Sequence, residues 1–374
     1  MTTLGIGIMG CGNISAAYLR LAPLFNGIEV RAVADLNTEA AVARAEEFGV
    51  RAETPDGLLS AADIDIIVNL TIPAAHFEVS KAALEAGKHV YSEKPFVLSL
   101  EEGQALLALA EEKGLRVGSA PDTFLGGAHQ AARAKLDSGD IGTVVGGTCH
   151  VMSHGMEAWH PNPDFFFQPG GGPVLDLGPY YVSNLVQLIG PVKSLTAMSS
   201  AGFKSRTIGN GPREGEEIPV NTPTNIHAIL EFASGAIVTM GSSWDVWAHR
   251  HPNMELYGTG GSLYVPDPNF FGGTVEAVLP GDDPKTLSDN AHPFGVPNQD
   301  GRANYRVSGL ADMAQAIDAG RDHRCNGKLA LHVIEVLTGI LEAGENGQRI
   351  EMQTTCDRPE ALAPDQAAAL LQTT

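Results

Sequence analysis

A glycine-rich turn near the N-terminus restricts what this chain can fold into more than any other feature. The apolar run Leu4–Met9 predicts a β-strand, and the segment Gly-Cys-Gly-Asn-Ile-Ser at residues 10–15 connects it to a helical pattern. The spacing is G-x-G-x-x-G with Ser at the third place. The first glycine permits a tight turn, the second lets a phosphate approach the backbone, and the helix N-terminus offers N–H groups to an anion. The turn therefore predicts a dinucleotide site formed by Gly10, Gly12, Asn13 and Ile14.

An acidic residue after the second apolar run indicates which dinucleotide is bound. The run Ile28–Ala34 predicts a strand, and Asp35 follows it, about 20 residues beyond the glycines, where an acid binds the adenosine ribose hydroxyls. Leu36 and Asn37 come next and include no arginine to meet a 2′-phosphate. We therefore expect NAD, with NADP the less favoured cofactor. The structural alternative for Asp35 is a capping acid ahead of the next helix.

Short apolar runs alternate with helical patterns as far as about residue 120. The runs 28–34, 64–70, 88–91 and 115–119 are separated by helical patterns, which end at Gly49, Gly87 and Gly114. Such alternation predicts the α/β class, with a doubly wound parallel sheet of the Rossmann type covered on both faces. We predict an NAD-binding Rossmann domain over residues 1–121.

The pattern changes after Pro121, where β-rich segments follow one another with few helices between them. Helices are predicted at 127–138, 177–188, 309–319 and 330–343, and strands at 143–153, 192–199, 224–232, 236–243, 254–257 and 262–265. Two polar stretches, 203–222 and 279–303, are predicted loops. Successive strands predict an α+β domain over residues 122–374, built on an open, mainly antiparallel sheet, for substrate binding and oligomerisation.

Charge and cysteine usage exclude several classes of partner. The net charge is −20, from 44 acidic and 24 basic residues, which argues against nucleic acid and against anionic membrane surfaces. Uninterrupted apolar runs stay well below the roughly 18 residues of a membrane span, so we expect no membrane partner. Four scattered cysteines without a CxxC pair are typical of free thiols in the cytoplasm. The histidine pairs 150/154 and 249/251 lack a third ligand, so we expect no metal.

Four further motifs resemble the Gfo/Idh/MocA oxidoreductase family. Glu93-Lys94-Pro95 follows the strand at 88–91, the segment 170–180 is similar to the family's G-G-G-x-x-x-D-x-G-x-H pattern, and residues 257–262 are similar to its G-T-E/K-G turn. Thr71-Ile72-Pro73, with His76, is close to the T-P-N segment that lines the nicotinamide in the family. The resemblance runs in order from residue 10 to residue 262. It implies a Rossmann domain followed by an open sheet that is often used for oligomer contacts, and hence a homo-oligomer, a dimer or tetramer.

The resemblance also assigns roles to individual residues. It implies cofactor contacts for Thr71, Ile72, His76, Glu93 and Lys94, and an often cis Lys–Pro peptide. Lys94 would reach both the nicotinamide ribose and the reacting hydroxyl.

On the substrate side, the resemblance implies that Asp176 orients the substrate. Tyr180 stands where inositol-dehydrogenase-like members have the catalytic His, and glucose–fructose oxidoreductase resembles this chain in having Tyr there. A tyrosine beside a cation loses its proton more readily. Tyr180 with Lys94 could therefore replace the His; the alternative is that Tyr180 only shapes the pocket and Lys94 is the sole acid/base.

An aromatic and polar segment ahead of the glycine cluster indicates the kind of substrate. Trp159 and His160 together present an apolar face and polar groups, which suits a sugar ring, although core packing is the alternative for each tryptophan. Asp122, at the end of the last strand of the first domain, is a third candidate substrate residue.

The function that the sequence predicts is an NAD(P)-dependent oxidoreductase acting on CH–OH groups. The chain would be an NAD-dependent dehydrogenase that oxidises a hydroxyl of a sugar, glycoside or polyol by hydride transfer to nicotinamide. Two alternatives stay open. One is glycoside cleavage assisted by transient oxidation, with NAD recycled in place. The other is a non-catalytic NAD-binding sensor, against which the retained Lys94 and Asp176 argue.

Overall fold

The N-terminal strands lie side by side in one parallel sheet. The computed structural model describes residues 2–287 and 292–372. Up to residue 120 the elements are β1 (Leu4–Met9), α1 (Asn13–Leu21), β2 (Ile28–Ala34), α2 (Thr38–Phe48), β3 (Arg51–Glu53), α3 (Pro55–Ser60), β4 (Ile66–Asn69), α4 (His76–Glu85), β5 (His89–Ser92), α5 (Leu100–Lys113) and β6 (Val117–Ser119). The strand order is β3-β2-β1-β4-β5-β6 and the pairings are parallel. The predicted doubly wound Rossmann sheet is confirmed.

Local capping explains where the helices of this sheet begin and end. The Asn37 side chain accepts hydrogen bonds from the first backbone N–H groups of α2, and Ser99 does the same for α5. Gly49 and Gly114 end these helices in the left-handed conformation, as their positions in the sequence predict. The pair β3 and α3 was not predicted, because each is short and shows no hydrophobic periodicity.

The later strands form a second, larger sheet. The remaining elements are α6 (Gly127–Asp137), β7 (Val144–Met152), α7 (Gly172–Ile189), β8 (Val192–Ser200), β9 (Ser205–Thr207), β10 (Glu217–Pro219), β11 (Asn225–Phe232), β12 (Ile237–Ser243), β13 (Met254–Gly258), β14 (Gly261–Val265), β15 (Val275–Val278), β16 (Lys285–Leu287), α8 (Ser308–Ala319), α9 (Gly327–Asn346), β17 (Ile350–Glu351) and α10 (Pro364–Leu370). The order is β16-β15-β14-β13-β7-β12-β11-β8-β17. Neighbours pair antiparallel except β12 with β7, which confirms the mainly antiparallel prediction.

One face of this second sheet is covered and the other is open. Helix α7 is buried along almost its whole length and packs against β7, β11 and β12. Residues of β11 alternate between buried and exposed, as in a strand with one solvated face. Met198 on β8 and Ile229 on β11 are exposed on the open face.

Three predictions for this part of the chain were wrong in detail. Helix α7 begins at Gly172 rather than at residue 177, because Pro173 is well suited to the first turn of a helix. The stretch 203–222 is not only loop, since β9 and β10 pair within it as a two-stranded antiparallel sheet. The stretch 279–303 contains β16 and a short 3₁₀ turn, Pro293–Gly295, and its residues 288–291 lie outside the described residues.

The chain divides into two compact units that are not contiguous in sequence. Unit 1 comprises Met1–Gln130, Asn290–Leu331 and Pro359–Thr374, and unit 2 comprises Ala131–Asp289 and His332–Arg358. The C-terminal segment joins unit 1 through backbone hydrogen bonds, from Asn26 N to Leu370 O and from Gln372 N to Leu24 O. This grouping differs from the expected division after residue 121, which stays a prediction. No sequence pattern indicates that the chain returns to its first unit twice.

Candidate active site

The carboxyl ends of the parallel strands in unit 1 bring the predicted cofactor residues to one edge. Strand β1 ends just before Gly10, β2 before Asp35, β4 before Thr71 and β5 before Lys94. The chain crosses from the β3 side of β1 to β4 on its other side, so β1 and β4 flank a topological switch point. Ligands of open parallel sheets bind outside the strand ends at such a point.

The two glycines of the turn have different physical roles. Gly10 has a φ of +104°, and a Cβ there would lie 2.6 Å from the carbonyl oxygen of Leu70. Only glycine fits this place without displacing backbone. Around Gly12, by contrast, there is nothing within 4 Å of the position that a Cβ would take. Gly10 therefore builds the turn, while Gly12 leaves open space above the backbone.

The N-terminus of α1 has the properties of an anion site. Gly12 is its capping residue, and among the residues that the structure describes no side chain caps this helix and no acid stands in its first turn. The first N–H groups of a helix lack intrahelical partners and carry a partial positive charge. Together with the open space at Gly12, they fit a pyrophosphate.

Asp35 is held beside the same turn. One of its carboxylate oxygens accepts a hydrogen bond from the Cys11 N–H at 2.7 Å, and the other accepts from the Asn37 N–H at 2.8 Å. Each oxygen keeps a second lone pair, so the carboxylate can still accept from ribose hydroxyls. Burial and the charge of Asp35 raise the pKa of the Cys11 thiol to about 11, which disfavours the thiolate at neutral pH.

Two exposed apolar side chains lie at the strand ends. Leu36 is 94% exposed and Ile72 is 70% exposed, although both follow buried strands. A large apolar side chain that is left uncovered at a ligand edge suits the flat, weakly polar ring of a nucleotide base. The residues present thus fit a dinucleotide at each of its parts: rings, ribose and phosphates.

Arg44 is a charged residue near this site that sequence reasoning missed. From α2 its guanidinium contacts the Gly12 carbonyl oxygen at 3.4 Å and pairs with Glu47 at 2.6 Å. The two residues directly after Asp35 include no arginine, whereas Arg44 approaches the turn from the following helix. An arginine one to three turns into that helix is the signal that could have found it.

The turn that carries Lys94 is tied to its neighbours by several hydrogen bonds. The Glu93 N–H donates to the Asn69 carbonyl at 2.9 Å, and the Glu93 carboxylate accepts from the Tyr18 hydroxyl and from the Lys94 N–H, each at 2.9 Å. The Lys94–Pro95 peptide is cis, as the family resemblance implies. Glu93 therefore has intramolecular partners on both oxygens, and its contact with a cofactor stays a prediction.

His76 lies beneath the same turn, fully buried. Its Nδ1 is 2.6 Å from the Pro95 carbonyl oxygen and its Nε2 is 3.0 Å from the Thr71 carbonyl oxygen. Burial lowers the pKa of the ring. Thr71 itself donates from its hydroxyl to Asn69 at 2.7 Å. The structure thus places His76 between two turns of the site rather than at its surface, and a direct cofactor contact stays a prediction.

Asp122 lies inside unit 1 beside the start of a helix, and its expected contact with a substrate stays a prediction. It is buried, and its carboxylate accepts from the Ser308 hydroxyl at 3.2 Å and from the Gly309 N–H at 3.0 Å, at the start of α8. Burial raises its pKa to about 6. Its contacts within unit 1 are those of a helix cap. Helix α8 is distant in sequence, so the local sequence could not predict this contact.

In unit 2, one helix carries both residues to which the family resemblance assigns a role at the substrate. Asp176 and Tyr180 are four residues apart on α7 and so share a face of it. Asp176 is partly buried and Tyr180 is almost fully buried. Their glycine cluster forms the helix start, where a Cβ at Gly171 would lie 2.5 Å from the Phe165 carbonyl oxygen.

The three tryptophans of unit 2 have three different environments. Trp159 is 57% exposed, its carbonyl accepts from the Asn210 side chain at 3.0 Å, and the His160 ring lies edge-on to it with centroids 5.5 Å apart. Trp244 is completely buried in a small core with Phe167. Trp247 is 79% exposed. Trp159 and His160 are therefore brought together, and Trp244 is core.

Other kinds of site are not found in the described ranges. Within residues 2–287 and 292–372, no group of three or more His, Cys, Asp or Glu is placed to hold a metal ion. The helices of these same ranges include none with the length and apolarity needed to cross a membrane. All four cysteines are free and buried.

Comparison with known proteins links both parts of the chain to one family. Residues 4–120 match the family described as "Oxidoreductase family, NAD-binding Rossmann fold", and residues 129–264 match the GFO/IDH/MocA C-terminal domain. Levoglucosan dehydrogenase of Pseudarthrobacter phenanthrenivorans is 26% identical over 70% of this chain and 73% of its own length. The 1,5-anhydro-D-fructose reductase of Ensifer adhaerens is 23% identical over 93% of this chain and 98% of its own.

A solved structure shows the same fold. Levoglucosan dehydrogenase in complex with NADH and L-sorbose matches with a TM-score of 0.80 at 22% identity, over 94% of this chain and 99% of that one.

Proposed function

Because the chain belongs to the Gfo/Idh/MocA oxidoreductase family and contains an NAD-binding Rossmann domain, we propose that it is an NAD-dependent dehydrogenase that oxidises a hydroxyl of a sugar, glycoside or polyol. One observation carries the proposal. The turn with Lys94 stands at the same strand-end edge as the Gly10 turn, so the lysine and the dinucleotide site belong to one surface of unit 1.

Residues of unit 1 hold the cofactor in this proposal. NAD, when bound, supplies a hydride acceptor at its nicotinamide ring. The N–H groups at the start of α1 bind the pyrophosphate, and Asp35 accepts from the adenosine ribose. Leu36 and Ile72 cover apolar ring surface. Arg44 lies beside Gly12 and pairs with Glu47. NAD remains favoured over NADP because Asp35 stands where the adenosine ribose hydroxyls bind and would repel a 2′-phosphate.

The other residues to which the family resemblance assigns roles transfer the substrate proton and orient the substrate in this proposal. Lys94 or Tyr180 takes the proton of the reacting hydroxyl, and Asp176 orients the substrate by accepting hydrogen bonds from neighbouring hydroxyls. Correct alignment of the carbinol carbon lowers the barrier because orientation entropy is lost on binding rather than in the reaction. Asp176 and Tyr180, on one face of α7, can act on the same molecule.

Two features support a polyhydroxylated substrate. The exposed ring of Trp159, next to His160, offers the stacking surface and polar edge that sugar rings use. The relatives named above are called levoglucosan dehydrogenase and 1,5-anhydro-D-fructose reductase, and both names refer to sugars.

We further propose a homo-oligomer in the cytoplasm. The open face of the second sheet exposes Met198, Ile229 and Ile237, an apolar surface of the kind that subunits cover. Four cysteines that stay unpaired fit a reducing compartment.

A substrate panel tests the proposed function. Purified protein is mixed with NAD and a series of sugars, glycosides and polyols, and NADH absorbance is followed while products are identified. Net NADH formation with at least one member is the expected result. A glycoside that is cleaved without net NADH would instead indicate cleavage with recycled cofactor. NADH binding without turnover in either direction would indicate a sensor.

A further inference from the structure

The turn that carries Lys94 is held on one side by a tyrosine from the phosphate-binding helix. Tyr18 lies on α1 and is almost fully buried. Its hydroxyl donates to one Glu93 oxygen at 2.9 Å, and the other Glu93 oxygen accepts from the Lys94 N–H at 2.9 Å. A single carboxylate thus connects α1 to the backbone of the lysine.

The direction of the Tyr18 hydrogen bond is fixed by its surroundings. Burial and the nearby Glu93 raise the pKa of the Tyr18 hydroxyl far above its usual range, so it keeps its proton and donates. A hydrogen bond to a charged acceptor is among the stronger ones in proteins. Removing this hydroxyl leaves one Glu93 oxygen without its donor and frees the carboxylate to rotate.

A histidine holds the same turn from the other side. His76 faces the Pro95 carbonyl with one ring nitrogen and the Thr71 carbonyl with the other. A carbonyl oxygen can only accept, so a neutral ring satisfies one of the two and a doubly protonated ring satisfies both. The charged groups that act on this ring are Glu93, which favours the protonated form, and Lys94, which opposes it.

We propose that Tyr18 and His76 are positioning residues that align the Lys94 turn with the nicotinamide end of the bound dinucleotide. The inference rests on the proposed function for the role of Lys94. Tyr18 and His76 each act through hydrogen bonds to the turn, Tyr18 on Glu93 and His76 on the carbonyl after Lys94. Because α1 also binds the pyrophosphate, Tyr18 couples cofactor binding to the position of the lysine.

The first test is Tyr18→Phe, which removes a single hydroxyl. We expect kcat to fall about 10- to 100-fold, since a displacement of the reacting groups by about 1 Å has that effect. The Kd for NADH should change little, because Asp35 and the first N–H groups of α1 make the adenosine and phosphate contacts, and the substitution removes neither. The fluorescence emission of bound NADH, which reports on the nicotinamide environment, should shift.

Tyr305→Phe is the matched control. Tyr305 is also a buried tyrosine of unit 1, and its hydroxyl donates to the Val296 carbonyl at 2.9 Å. Its loss should lower the melting temperature by a similar amount, with kcat and NADH emission unchanged. Equal effects of both variants on kcat would overturn the proposal, because they would reflect stability alone.

His76→Gln is the second test, and it stands even if Tyr18→Phe fails to fold. In the wild type, acidification gives the ring its second proton and changes how it holds the turn. The emission of bound NADH should therefore depend on pH on the acid side of the ordinary histidine range, because burial lowers the pKa of this ring. The variant should lack that dependence and have a lower kcat. Identical pH profiles of variant and wild type would overturn the role of His76.

These readouts separate this inference from the proposed function. If the wild type oxidises no polyol but Tyr18→Phe still shifts the emission of bound NADH, the proposed function fails and the positioning role stands. If the wild type is active and both variants retain its kcat and its emission, the positioning role fails and the function stands.

Discussion

At the scale of single residues, Lys94 is the side chain on which the proposed chemistry depends most. Lys94→Ala should reduce turnover by about 10²- to 10⁴-fold, the usual contribution of a positioned acid or base. Binding of NADH, followed by fluorescence titration, should persist, since the glycine turn and Asp35 are untouched. Lys113→Ala, at an exposed position in α5, is the matched control. An unchanged rate for the Lys94 variant would refute its role.

Tyr180 decides between two versions of the proton transfer. If it shares the acid/base role with Lys94, Tyr180→Phe should lower kcat and kcat/KM together, by about 10²-fold or more. If it only shapes the pocket, activity should stay close to that of the wild type. Tyr181→Phe is the control, because that buried hydroxyl contacts Asp267 at 3.2 Å and Asn253 at 3.0 Å. Steady-state kinetics on both variants distinguishes the versions.

Individual residues also show which parts of the site the sequence can predict and which it cannot. Gly10, Gly12 and Asp35 could be placed because their motif fixes a local strand–turn–helix geometry. Asp122 could not, since its partners Ser308 and Gly309 are far away in sequence and only the return of α8 brings them close. The cofactor contact expected of His76 stays a prediction, and the two carbonyls that hold its ring depend on tertiary structure.

At the scale of elements, the two glycines of the β1–α1 turn have separate effects. One is needed for the stability of the fold and the other for cofactor binding. Gly10→Ala forces a Cβ towards the Leu70 carbonyl and a left-handed backbone, and should destabilise the fold by about 1–3 kcal/mol. Gly12→Ala meets no neighbouring atom, so its melting temperature without cofactor should equal that of the wild type. Its added methyl group would occupy the space of the pyrophosphate.

Melting curves with and without NAD compare the two variants. The Gly12 variant should lose the stabilisation that saturating NAD gives the wild type, a shift of about 2.7 kcal/mol when the ligand is at 100 times its Kd. The Gly10 variant should be less stable under both conditions. A Gly12 variant that NAD stabilises as well as it does the wild type would contradict the assigned phosphate site.

Elements were predictable where a periodic pattern and a terminator coincide. The helices that end at Gly49 and Gly114 and the central strands of both sheets met that condition. Elements such as β3, β9 and β10 have three residues each, too few for a period, and are defined by pairing with neighbours. The start of α7 was misplaced because a glycine cluster is ordinarily a loop signal, whereas here the helix begins at Gly172, with Pro173 in its first turn.

At the scale of the whole molecule, two buried groups give stability opposite dependences on pH. Burial lowers the pKa of His323 from 6.5 to about 4, so its contribution is complete above pH 6.5 and is lost as pH falls towards 4. Burial raises the pKa of Asp122 from 3.8 to about 6, so its contribution is complete below pH 3.8 and is lost as pH rises through 6. Each group contributes about 3 kcal/mol at most to the free energy of unfolding.

Replacing either group should therefore change the pH dependence of the free energy of unfolding in a defined direction. Relative to the wild type, His323→Gln should gain stability as pH falls from 7 to 4, and Asp122→Asn should gain stability as pH rises over the same range. Urea unfolding at several pH values measures both. His249→Gln, at an exposed position, is the control and should follow the wild type. Parallel profiles for all the variants would contradict the assignment.

We predict that subunits contact each other through the open face of the second sheet. Ile229 pairs with Thr196 on one side and Thr239 on the other, and Met198, two residues along β8, projects on the same face. Apolar side chains on an open sheet face lose their contact with water when a second copy covers them. We therefore expect the wild type to sediment as a dimer or tetramer.

A lysine at the centre of this face should weaken that assembly, because a buried unpaired charge is strongly unfavourable. Ile229→Lys should shift the sedimentation equilibrium towards the monomer at micromolar concentration. Val42→Lys, at an exposed apolar position of α2 in unit 1, should leave it unchanged. A wild type that is monomeric throughout, or an Ile229 variant that assembles like the wild type, would show that this face is not the contact between subunits.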